Sequence, residues 1–465
     1  MTLVAGVDSS TQATKVVVCD AANGEVIRQA SAPHPDGTQV DPTAWDEALQ
    51  QACADSLLDG VSALAVGGQQ HGMVVLDEER RVLRPALLWN DVRSAAAAAD
   101  LTEELGGREY WAAAVGSSLV ASFTVTKLRW LAEHEPAVAD RAASVVLPHD
   151  WVTSRLLGPA ADLVTDRGDA SGTGYWSPRS GAYRPDLLAR AFGRPLEVPR
   201  VLAPAEPAGR TRDGVLVAAG TGDNMGAALG LGLAPGDVVI SLGTSGTAFA
   251  VHDEPVEDRS GAVAGFADAT GRFLPLVATL NAARVLVATA GLLGTDLAGL
   301  TDLALQAPAG AGGLVLLPYL DGERTPDRPD ATGTLAGLTR ATMTRMHLAR
   351  AAVEGMLCGL ADAVDALGRQ GVTPRRVLLI GGAARSAAVR AVAGTLLDVP
   401  LVVPEPAEYV ARGAARQAAW ALAGTPAPPD WPVPATSVQE PGDLAAGRRI
   451  RAAYAAVRDA AVGPS

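Results

Sequence analysis

VAGVDSSTQATKVVVCD, residues 4–20, and DVVISLGTSGTAFAVHD, residues 237–253, share one pattern. Each stretch is an apolar run, then a turn rich in Ser, Thr and Gly, then a second β-branched run, which predicts two antiparallel strands joined by a tight turn. A shift of 233 positions pairs Thr11 with Thr244 and Thr14 with Thr247. Because such turns expose backbone N–H groups and hydroxyls that suit phosphate oxygens, the repeat predicts two similar domains facing one nucleotide.

The remaining sequence alternates between strand-like and helix-like segments. The β-branched runs at 61–67, 143–147 and 215–219 are separated by Ala- and Leu-rich stretches, such as 43–58 and 124–135, whose apolar residues have helical spacing. The second half follows the same plan. This alternation predicts an α/β protein in which helices cover a mixed sheet in each half.

The sequence divides into three regions. We place the main boundary within GLAPG, which gives an N-terminal domain over 1–232 and a C-terminal domain over 236–424. Residues 425–465 contain a Pro-rich connector and an Ala- and Arg-rich segment at 443–461 that predicts one exposed helix. Such a helix suits either packing or a homodimer contact, and the sequence leaves both open.

Composition argues against several classes of function. The 465-residue chain is 48% hydrophobic and 19% charged, which predicts sizeable cores rather than disorder. Its net charge of −13 argues against general nucleic-acid binding. There is no uninterrupted run of about 18 apolar residues to span a membrane and no basic signal-peptide segment at the start. Cys19, Cys53 and Cys358 are far apart in apolar or Ala-rich stretches, so we expect free thiols in a reducing cytoplasm.

The first chemical candidate is DSSTQATK at 8–15. Asp8 ends an apolar strand, where burial of a carboxylate is costly unless it meets a cation or hydrogen-bond donors. A Mg²⁺ ion held by Asp8 through water and by nucleotide phosphates would satisfy the carboxylate. An Asx-turn in which Asp8 only caps the hairpin is the alternative. The second turn, SLGTSGT, favours the phosphate interpretation.

The second candidate is GTGDNMGAALGLG at 220–232, where a strand turns into a helix. Asp223 is expected at the helix N-terminus, either as an ordinary N-cap or as a carboxylate that accepts a proton from an attacking hydroxyl. The glycine spacing does not fit a Rossmann fingerprint, and the chain contains no GxxxxGK[ST] P-loop.

Two further segments combine a strand end with glycines. In GGQQHGMVVLD at 67–77, Gln70 and His71 present an amide and an imidazole that suit a polyol, although a histidine satisfied within the core is the alternative. In LLIGGAARS at 378–386, the glycines between a strand and a helix leave room for a planar ring or a ribose against the backbone.

Together these segments resemble the FGGY family of carbohydrate kinases, and among its members the xylulokinases most closely. The resemblance covers about residues 3–424, and its further segments are LWNDVR (88–93), TKLRWLAEHEP (126–136), LPHDW (147–151), TDRGDASGT (165–173) and LPYLDGERTPDRPDATGTLAGL (317–338). It implies two actin-like, ribonuclease-H-like domains with a nucleotide and sugar cleft between them, which agrees with the duplicated hairpin.

The resemblance also implies roles for individual residues. Asp223 would be the catalytic base, and Asp8 together with Asp223 would organise Mg²⁺. The sugar-binding residues would be Gln70, His71, Asp223 and Asn224. The ATP-binding residues would be Thr11, Gln12 and Lys15 in the first turn, Gly243, Thr244 and Ser245 in the second turn, and Gly381, Gly382, Ala383 and Ser386 in an adenosine turn. Ala383 replaces a third glycine of many relatives, and DSSTQ replaces a turn with glycine and further Ser and Thr. We expect both to be tolerated because backbone donors do most of this work.

The implied activity is ATP-dependent phosphorylation of a terminal hydroxyl of D-xylulose, giving D-xylulose 5-phosphate in xylose catabolism. The expected partners are the sugar and ATP with Mg²⁺, and neither nucleic acid nor membrane. A kinase of the same family acting on ribulose, gluconate, glycerol or arabitol is the first alternative. A non-catalytic actin-like nucleotide switch is the second, although it leaves Gln70, His71 and Asn224 without a task.

Overall fold

The computed structural model describes residues 1–462. Its strands are β1 (Leu3–Ser9), β2 (Ala13–Asp20), β3 (Val26–Pro33), β4 (Gln39–Val40), β5 (Val61–Gly68), β6 (Val74–Leu76), β7 (Ala86–Leu87), β8 (Ser144–Val146), β9 (Val164–Asp166), β10 (Trp176–Ser177), β11 (Ala182–Tyr183), β12 (Arg200–Leu202), β13 (Pro207–Arg210), β14 (Leu216–Ala218), β15 (Thr221–Gly222), β16 (Asp237–Leu242), β17 (Gly246–Ala250), β18 (Ala264–Ala267), β19 (Phe273–Thr279), β20 (Val315–Leu317), β21 (Thr334–Ala336), β22 (Arg376–Ile380), β23 (Leu401–Pro404) and β24 (Ala435–Gln439). Its helices are α1 (Thr43–Ala52), α2 (Ala95–Glu104), α3 (Arg108–Val115), α4 (Thr124–His134), α5 (Pro136–Ala139), α6 (Pro148–Leu157), α7 (Arg167–Ala170), α8 (Pro185–Phe192), α9 (Asp223–Gly230), α10 (Ala283–Leu292), α11 (Leu297–Gln306), α12 (Arg345–Arg369), α13 (Ala387–Leu396), α14 (Tyr409–Ala423) and α15 (Leu444–Val462).

The chain forms two compact units. Unit 1 consists of Met1–Leu233, Val251–Pro275 and Ala407–Val433, and unit 2 consists of Ala234–Ala250, Leu276–Pro406 and the described residues from Pro434 onward. These units differ from the contiguous domains predicted over 1–232, 236–424 and 425–465, because the chain returns to unit 1 twice after first leaving it. Each unit is an α/β structure built on a mixed sheet, as the sequence pattern predicts.

The sheet of unit 1 has the order β13-β14-β5-β1-β2-β3, and β15 also pairs with β5. Strands β1 and β2 form the predicted antiparallel hairpin, whereas β1 and β5 run parallel. Period-two alternation sends side chains to opposite faces of the sheet. Val7 and Val16 pack on one face, and Val4 and Val17 pack on the other. Both faces are therefore buried.

Helix α14 covers the second of these faces. A Cβ atom on Gly6 of β1 would lie 1.8 Å from the carbonyl oxygen of Ala411 in α14, so only glycine permits this close approach of strand and helix. Ala414 and Ala418 of the same helix are fully buried. The Ala-rich sequence of α14 therefore provides the flat face that the strands need.

The sheet of unit 2 contains β19-β17-β16-β22-β23-β24 in that order. Strands β16 and β17 form the second predicted hairpin, and β16 runs parallel to β22. The two hairpins differ by one residue at the turn. Ser9 pairs with Thr14 in the first, whereas Leu242 pairs with Gly246 in the second. The second turn is therefore one residue shorter than the shift of 233 positions implies.

One prediction for residues 425–465 is wrong in part, and one element there was not predicted. The strand β24 lies between the Pro-rich connector and the last helix, and it pairs antiparallel with β23. The predicted exposed helix is α15, but it buries Ala446, Ile450 and Tyr454. Their spacing of four residues places them on one helical face, which explains why that face packs. A homodimer contact through the other face stays a prediction, which sedimentation of the purified protein would test.

Within residues 1–462, no single helix is long and apolar enough to cross a membrane, although the bent pair α10 and α11 together meets the length and composition required.

The three cysteines are free thiols: Cys19 and Cys358 are buried, and Cys53 is half-buried. Burial raises the pKa of the Cys19 and Cys53 thiols to about 11.

Candidate active site

Asp8 lies near the end of β1, directly before the first turn. It pairs in register with Lys15 on β2 and with Gly67 on β5, and its side chain is buried. Its Oδ1 atom has no hydrogen-bond partner among the residues that the structure describes. The turn is instead closed by Ser10, whose backbone N–H and hydroxyl both donate to the carbonyl oxygen of Ala13. The hairpin turn therefore has a closing contact that does not involve the Asp8 carboxylate.

Charge and burial together make Asp8 an unusual carboxyl group. Burial raises its pKa to about 7; the charge of Lys15 opposes this shift, and the charges of Asp223 and Glu408 contribute to it. Buried carboxylates that hold a negative charge need a cation or strong donors nearby. The position of Asp8 beside a second carboxylate is thus typical of a cation site.

The other residues of the first turn have specific partners. The hydroxyl of Thr11 accepts a hydrogen bond from the indole Nε1 of Trp89 at 2.8 Å. The carbonyl oxygen of Gln12 accepts from the backbone of His34. Nζ of Lys15 donates to Glu408, the residue before α14. The binding of nucleotide phosphate by Thr11, Gln12 and Lys15 stays a prediction.

Asp223 begins helix α9, and Gly222 occupies the N-cap position before it. Its Oδ1 accepts hydrogen bonds from the backbone N of Asn224 at 2.7 Å and from Nδ2 of Asn224 at 2.8 Å. Burial raises the pKa of Asp223 to about 6, although the hydrogen bonds from Asn224 oppose this shift. At neutral pH the carboxylate is therefore ionised, which a general base requires, and its affinity for a proton is higher than that of an exposed aspartate.

Close backbone contacts fix the helix that carries Asp223. A Cβ atom on Gly413 of α14 would lie 1.8 Å from the carbonyl oxygen of Gly226, and one on Gly230 would lie 2.1 Å from that of Tyr409. Only glycine allows two helices to approach so closely. The glycines in GTGDNMGAALGLG therefore position the Asp223 carboxylate by packing α9 onto α14.

Gln70 and His71 follow strand β5, and both side chains are buried. Nδ2 of Asn224 donates to Oε1 of Gln70 at 3.4 Å, so that Gln70, Asn224 and Asp223 form one hydrogen-bonded chain. Nδ1 of His71 donates to the carbonyl oxygen of Gly172 at 2.7 Å. In a neutral imidazole this bond fixes Nε2 as the acceptor nitrogen. The structure thus brings together the residues predicted to bind the sugar, and their contact with a sugar stays a prediction.

The remaining predicted residues belong to unit 2, where a cavity of about 630 Å³ opens beside β16. Its lining includes five of them: Gly243, Thr244, Gly382, Ala383 and Ser386. Ser245 lies in the same turn but does not line the cavity. Gly381 supports the wall. Its φ is 92°, and a Cβ atom placed on it would lie 2.5 Å from the carbonyl oxygen of Leu242, so the position requires glycine.

Helix α11 forms a wall of this cavity that the sequence analysis did not predict. Leu297, Ala298 and Thr301 line the cavity, and the hydroxyl of Thr301 lies 2.8 Å from that of Ser386. The sequence does indicate this helix, because an apolar run with helical spacing follows Asp296. In the structure the Asp296 side chain caps α11 by accepting a hydrogen bond from the backbone N–H of Gly299. The sequence patterns likewise indicated no role for Glu408 or for the buried residues of LPHDW at 147–151.

The chain is similar to known carbohydrate kinases over most of its length. Residues 3–232 match the N-terminal domain of the FGGY family of carbohydrate kinases, and residues 238–422 match its C-terminal domain. The xylulose kinase of Streptomyces coelicolor is 48% identical over 438 residues, which cover 91% of this chain and 88% of that protein. The xylulose kinase of Escherichia coli is 34% identical over 409 residues, covering 82% of each chain.

A solved structure gives the same result. The crystal structure of xylulose kinase from Bifidobacterium adolescentis is 46% identical to this chain, with a TM-score of 0.91, and the two match over 98% of this chain and 99% of that one. This similarity confirms the predicted α/β fold of two actin-like domains. Together the two matches cover residues 3–232 and 238–422, which is most of the chain. The chain therefore belongs to the FGGY family of carbohydrate kinases.

Proposed function

We propose that this kinase transfers the γ-phosphoryl group of ATP to a terminal hydroxyl of D-xylulose, giving D-xylulose 5-phosphate and ADP. The observation that carries the proposal is the hydrogen-bonded chain of Gln70, Asn224 and Asp223, which joins polyol-binding groups to a carboxylate suited to accept a proton. The names of the relatives support D-xylulose as the sugar.

Asp223 acts in this scheme as the general base. The substrate hydroxyl oxygen attacks the γ-phosphorus, and a new O–P bond forms as the bond to the bridging oxygen of ADP breaks. The hydroxyl proton passes to the Asp223 carboxylate, whose pKa is raised to about 6 by burial. Because the transition state of phosphoryl transfer is loose, positioning of the hydroxyl matters more than the strength of the base.

ATP is the proposed occupant of the cavity in unit 2. A volume of about 630 Å³ suits a nucleoside, and its lining combines apolar side chains with the glycine-rich segment at 381–386. Ser386 caps α13 by accepting from the backbone of Val389, so the helix begins at this wall. The second turn, with Gly243 and Thr244, presents backbone and hydroxyl groups that suit phosphate oxygens.

Mg²⁺ fits the carboxylates of unit 1. The buried Oδ1 of Asp8 lacks a hydrogen-bond partner within the described residues, and the charge of Asp223 acts on the same carboxyl group. Oxygen ligands of this kind are those that Mg²⁺ prefers. Asp8 and Asp223 would therefore hold the ion, directly or through water, and the ion would neutralise charge on the nucleotide phosphates.

Sugar-dependent ADP release tests the proposal. The purified protein is given ATP with Mg²⁺ and one of D-xylulose, D-ribulose, D-gluconate, glycerol or D-arabitol, and ADP is measured with a coupled assay. We expect kcat/KM to be highest with D-xylulose. Preference for another polyol would change the proposed substrate, but the proposed reaction and the role of Asp223 as its base would be unaffected. ATP turnover that no sugar changes would instead indicate a nucleotide switch.

A further inference from the structure

Unit 1 contains a buried charged cluster that includes none of the predicted site residues. His149, at the start of α6, is fully buried together with the neighbouring Asp150, and Asp166 and Asp169 are buried as well. Nδ1 of His149 lies 2.6 Å from Oδ2 of Asp169 and 3.4 Å from Oδ1 of Asp150, and its Nε2 lies 3.8 Å from Oδ1 of Asp166. One imidazole thus faces three carboxylates away from solvent.

The cluster holds one end of a turn that contacts the proposed sugar-binding residues. We call residues 166–173 the substrate turn. Asp166 is the N-cap of helix α7, and its carboxylate accepts hydrogen bonds from the backbone of Gly168 and Asp169. The turn then bonds to the residues after β5: its Gly172 carbonyl oxygen accepts from Nδ1 of His71 at 2.7 Å.

The substrate turn also contacts the neighbour of His71. The carbonyl oxygen of Gly168 accepts a long hydrogen bond, 3.5 Å, from Nε2 of Gln70. A Cβ atom on Gly172 would lie 2.7 Å from Nδ1 of His71, so the turn has no room to shift toward the imidazole. The position of the turn therefore fixes the orientation of both side chains.

His149 itself packs between the two segments that carry the candidate site. A Cβ atom on Gly68, at the end of β5, would lie 2.8 Å from Cβ of His149. One on Gly220, three residues before Asp223, would lie 2.5 Å from Cδ2 of the same imidazole. His149 therefore touches the strand end before Gln70 with its Cβ and backbone, and its ring touches Gly220 before Asp223, while Nδ1 bonds to the substrate turn.

We propose that His149 is a positioning residue for sugar binding, which holds the substrate turn through Asp169 so that Gln70 and His71 face the sugar. The inference rests on the proposed function. His149 acts through these residues and does not itself touch the substrate. Its loss should weaken sugar binding while ATP binding, for which the candidate cavity belongs to unit 2, is retained.

The geometry favours a hydrogen bond between His149 and Asp169 over a metal ion bound at Nδ1 in this cluster. His149, Asp150 and Asp169 offer ligand atoms within 4.8 Å of one another, which is close enough to hold a cation. However, a separation of 2.6 Å between Nδ1 and a carboxylate oxygen is that of a charge-assisted hydrogen bond, with a proton between the two atoms. Burial lowers the pKa of His149, but the charge of Asp150 and the bond to Asp169 outweigh it and raise that pKa to about 10. The imidazolium supplies the positive charge that a metal ion would otherwise bring.

The test compares His149→Asn with the wild type in steady-state assays. Asparagine keeps a short polar side chain and removes the charge. We expect the KM for D-xylulose to rise about tenfold, the loss that one hydrogen bond to a charged group produces, while kcat and the dissociation constant of ATP change by about twofold or less. His134→Asn, at an exposed histidine of the same unit, is the matched control and should behave as wild type.

Asp169→Asn tests the same contact from its other side, and it serves if His149→Asn does not fold. We expect a similar rise in KM, and the double variant should be no worse than either single one, because both remove one shared interaction. A wild-type KM in either folded variant, with only a lower melting temperature, would overturn the positioning role.

Two further outcomes are distinguishable. A wild-type protein that shows no sugar-dependent ADP release refutes the proposed function itself, and the inference falls with it. Elemental analysis of the purified wild type tests whether the cluster around His149 holds a metal ion. A stoichiometric divalent metal that is lost in His149→Asn would overturn the imidazolium interpretation. Absence of such a metal supports it.

Discussion

Nζ of Lys15 lies 2.7 Å from Oε2 of Glu408, although the two residues are 393 positions apart in the chain. Lys15 lies on β2 beside the first turn, and Glu408 directly precedes α14. Burial lowers the pKa of Lys15, but the hydrogen bond to Glu408 and its charge outweigh burial, so the pKa is raised and the ammonium stays charged. The contact keeps this cation beside the turn that we assign to phosphate.

Lys15→Met separates a role in phosphate binding from a role in stability. Loss of the cation should raise the KM for ATP about tenfold, because a charge-assisted bond to phosphate is removed. Glu408→Gln is the matched control: the pair is partly exposed, so its loss should change the free energy of unfolding by less than about 1 kcal/mol and should not raise the KM for ATP. If Lys15→Met keeps the wild-type KM for ATP, Lys15 does not bind phosphate.

Asp223→Asn removes the proposed base and keeps the size of the side chain. We expect kcat to fall by at least about 10²-fold, the lower range for a positioned acid–base group, while calorimetry shows retained binding of ATP. Asp213→Asn, at an exposed aspartate of the same unit, should leave kcat unchanged. Near-normal turnover of Asp223→Asn would exclude this residue as the base.

Asp8→Asn tests the Mg²⁺ site. Removal of one carboxylate should raise the Mg²⁺ concentration required for half-maximal activity by about tenfold or more, because a ligand or its hydrogen bond to bound water is lost. EDTA should abolish turnover of the wild type, and added Mg²⁺ should restore it. An unchanged Mg²⁺ requirement in Asp8→Asn would place the ion elsewhere.

Lys127 should make stability depend on pH. It is fully buried, and its Nζ donates to the carbonyl oxygens of Ser122 and His71. Burial lowers its pKa to about 7, so between pH 7 and about 10 the unfolded chain binds a proton at this side chain that the folded protein does not. The unfolding free energy contributed by Lys127 should therefore rise with pH across this range.

The comparison with Lys127→Met isolates this contribution. Denaturant unfolding at a series of pH values from about 7 to about 9.5 should show the wild type gaining free energy of unfolding relative to the variant as pH rises. A difference between the two proteins that is constant with pH would show that Lys127 has an ordinary pKa in the folded state.

Gly382→Leu tests the cavity in unit 2. No atom lies within 4 Å of a Cβ placed on Gly382, so the variant should fold, and its side chain should occupy space within the cavity. We expect the KM for ATP to rise about tenfold and the KM for the sugar to stay constant. Gly368→Leu, an equally open glycine that does not line the cavity, is the control. Equal ATP affinity in both variants would show that the nucleotide does not bind in this cavity.

The sequence by itself determined the local elements and the positions of the chemical motifs. Both hairpins were predictable because an apolar run, a turn and a β-branched run are encoded within about 17 consecutive residues. Asp223 at the start of a helix was predictable for the same reason, since the glycines of the turn precede an Ala- and Leu-rich segment. The short strand β24 was missed because it lies among prolines and obtains its hydrogen bonds from β23.

Only the tertiary structure decided which distant residues meet. The ion pair of Lys15 with Glu408, the bond of His149 to Asp169 and the packing of α14 onto β1 join segments that no local periodicity relates. The same holds for α11, whose helical pattern is visible in the sequence but whose place in the cavity wall is not. Such contacts depend on how buried faces match after the chain has folded back on itself, and that matching is a property of the packed units.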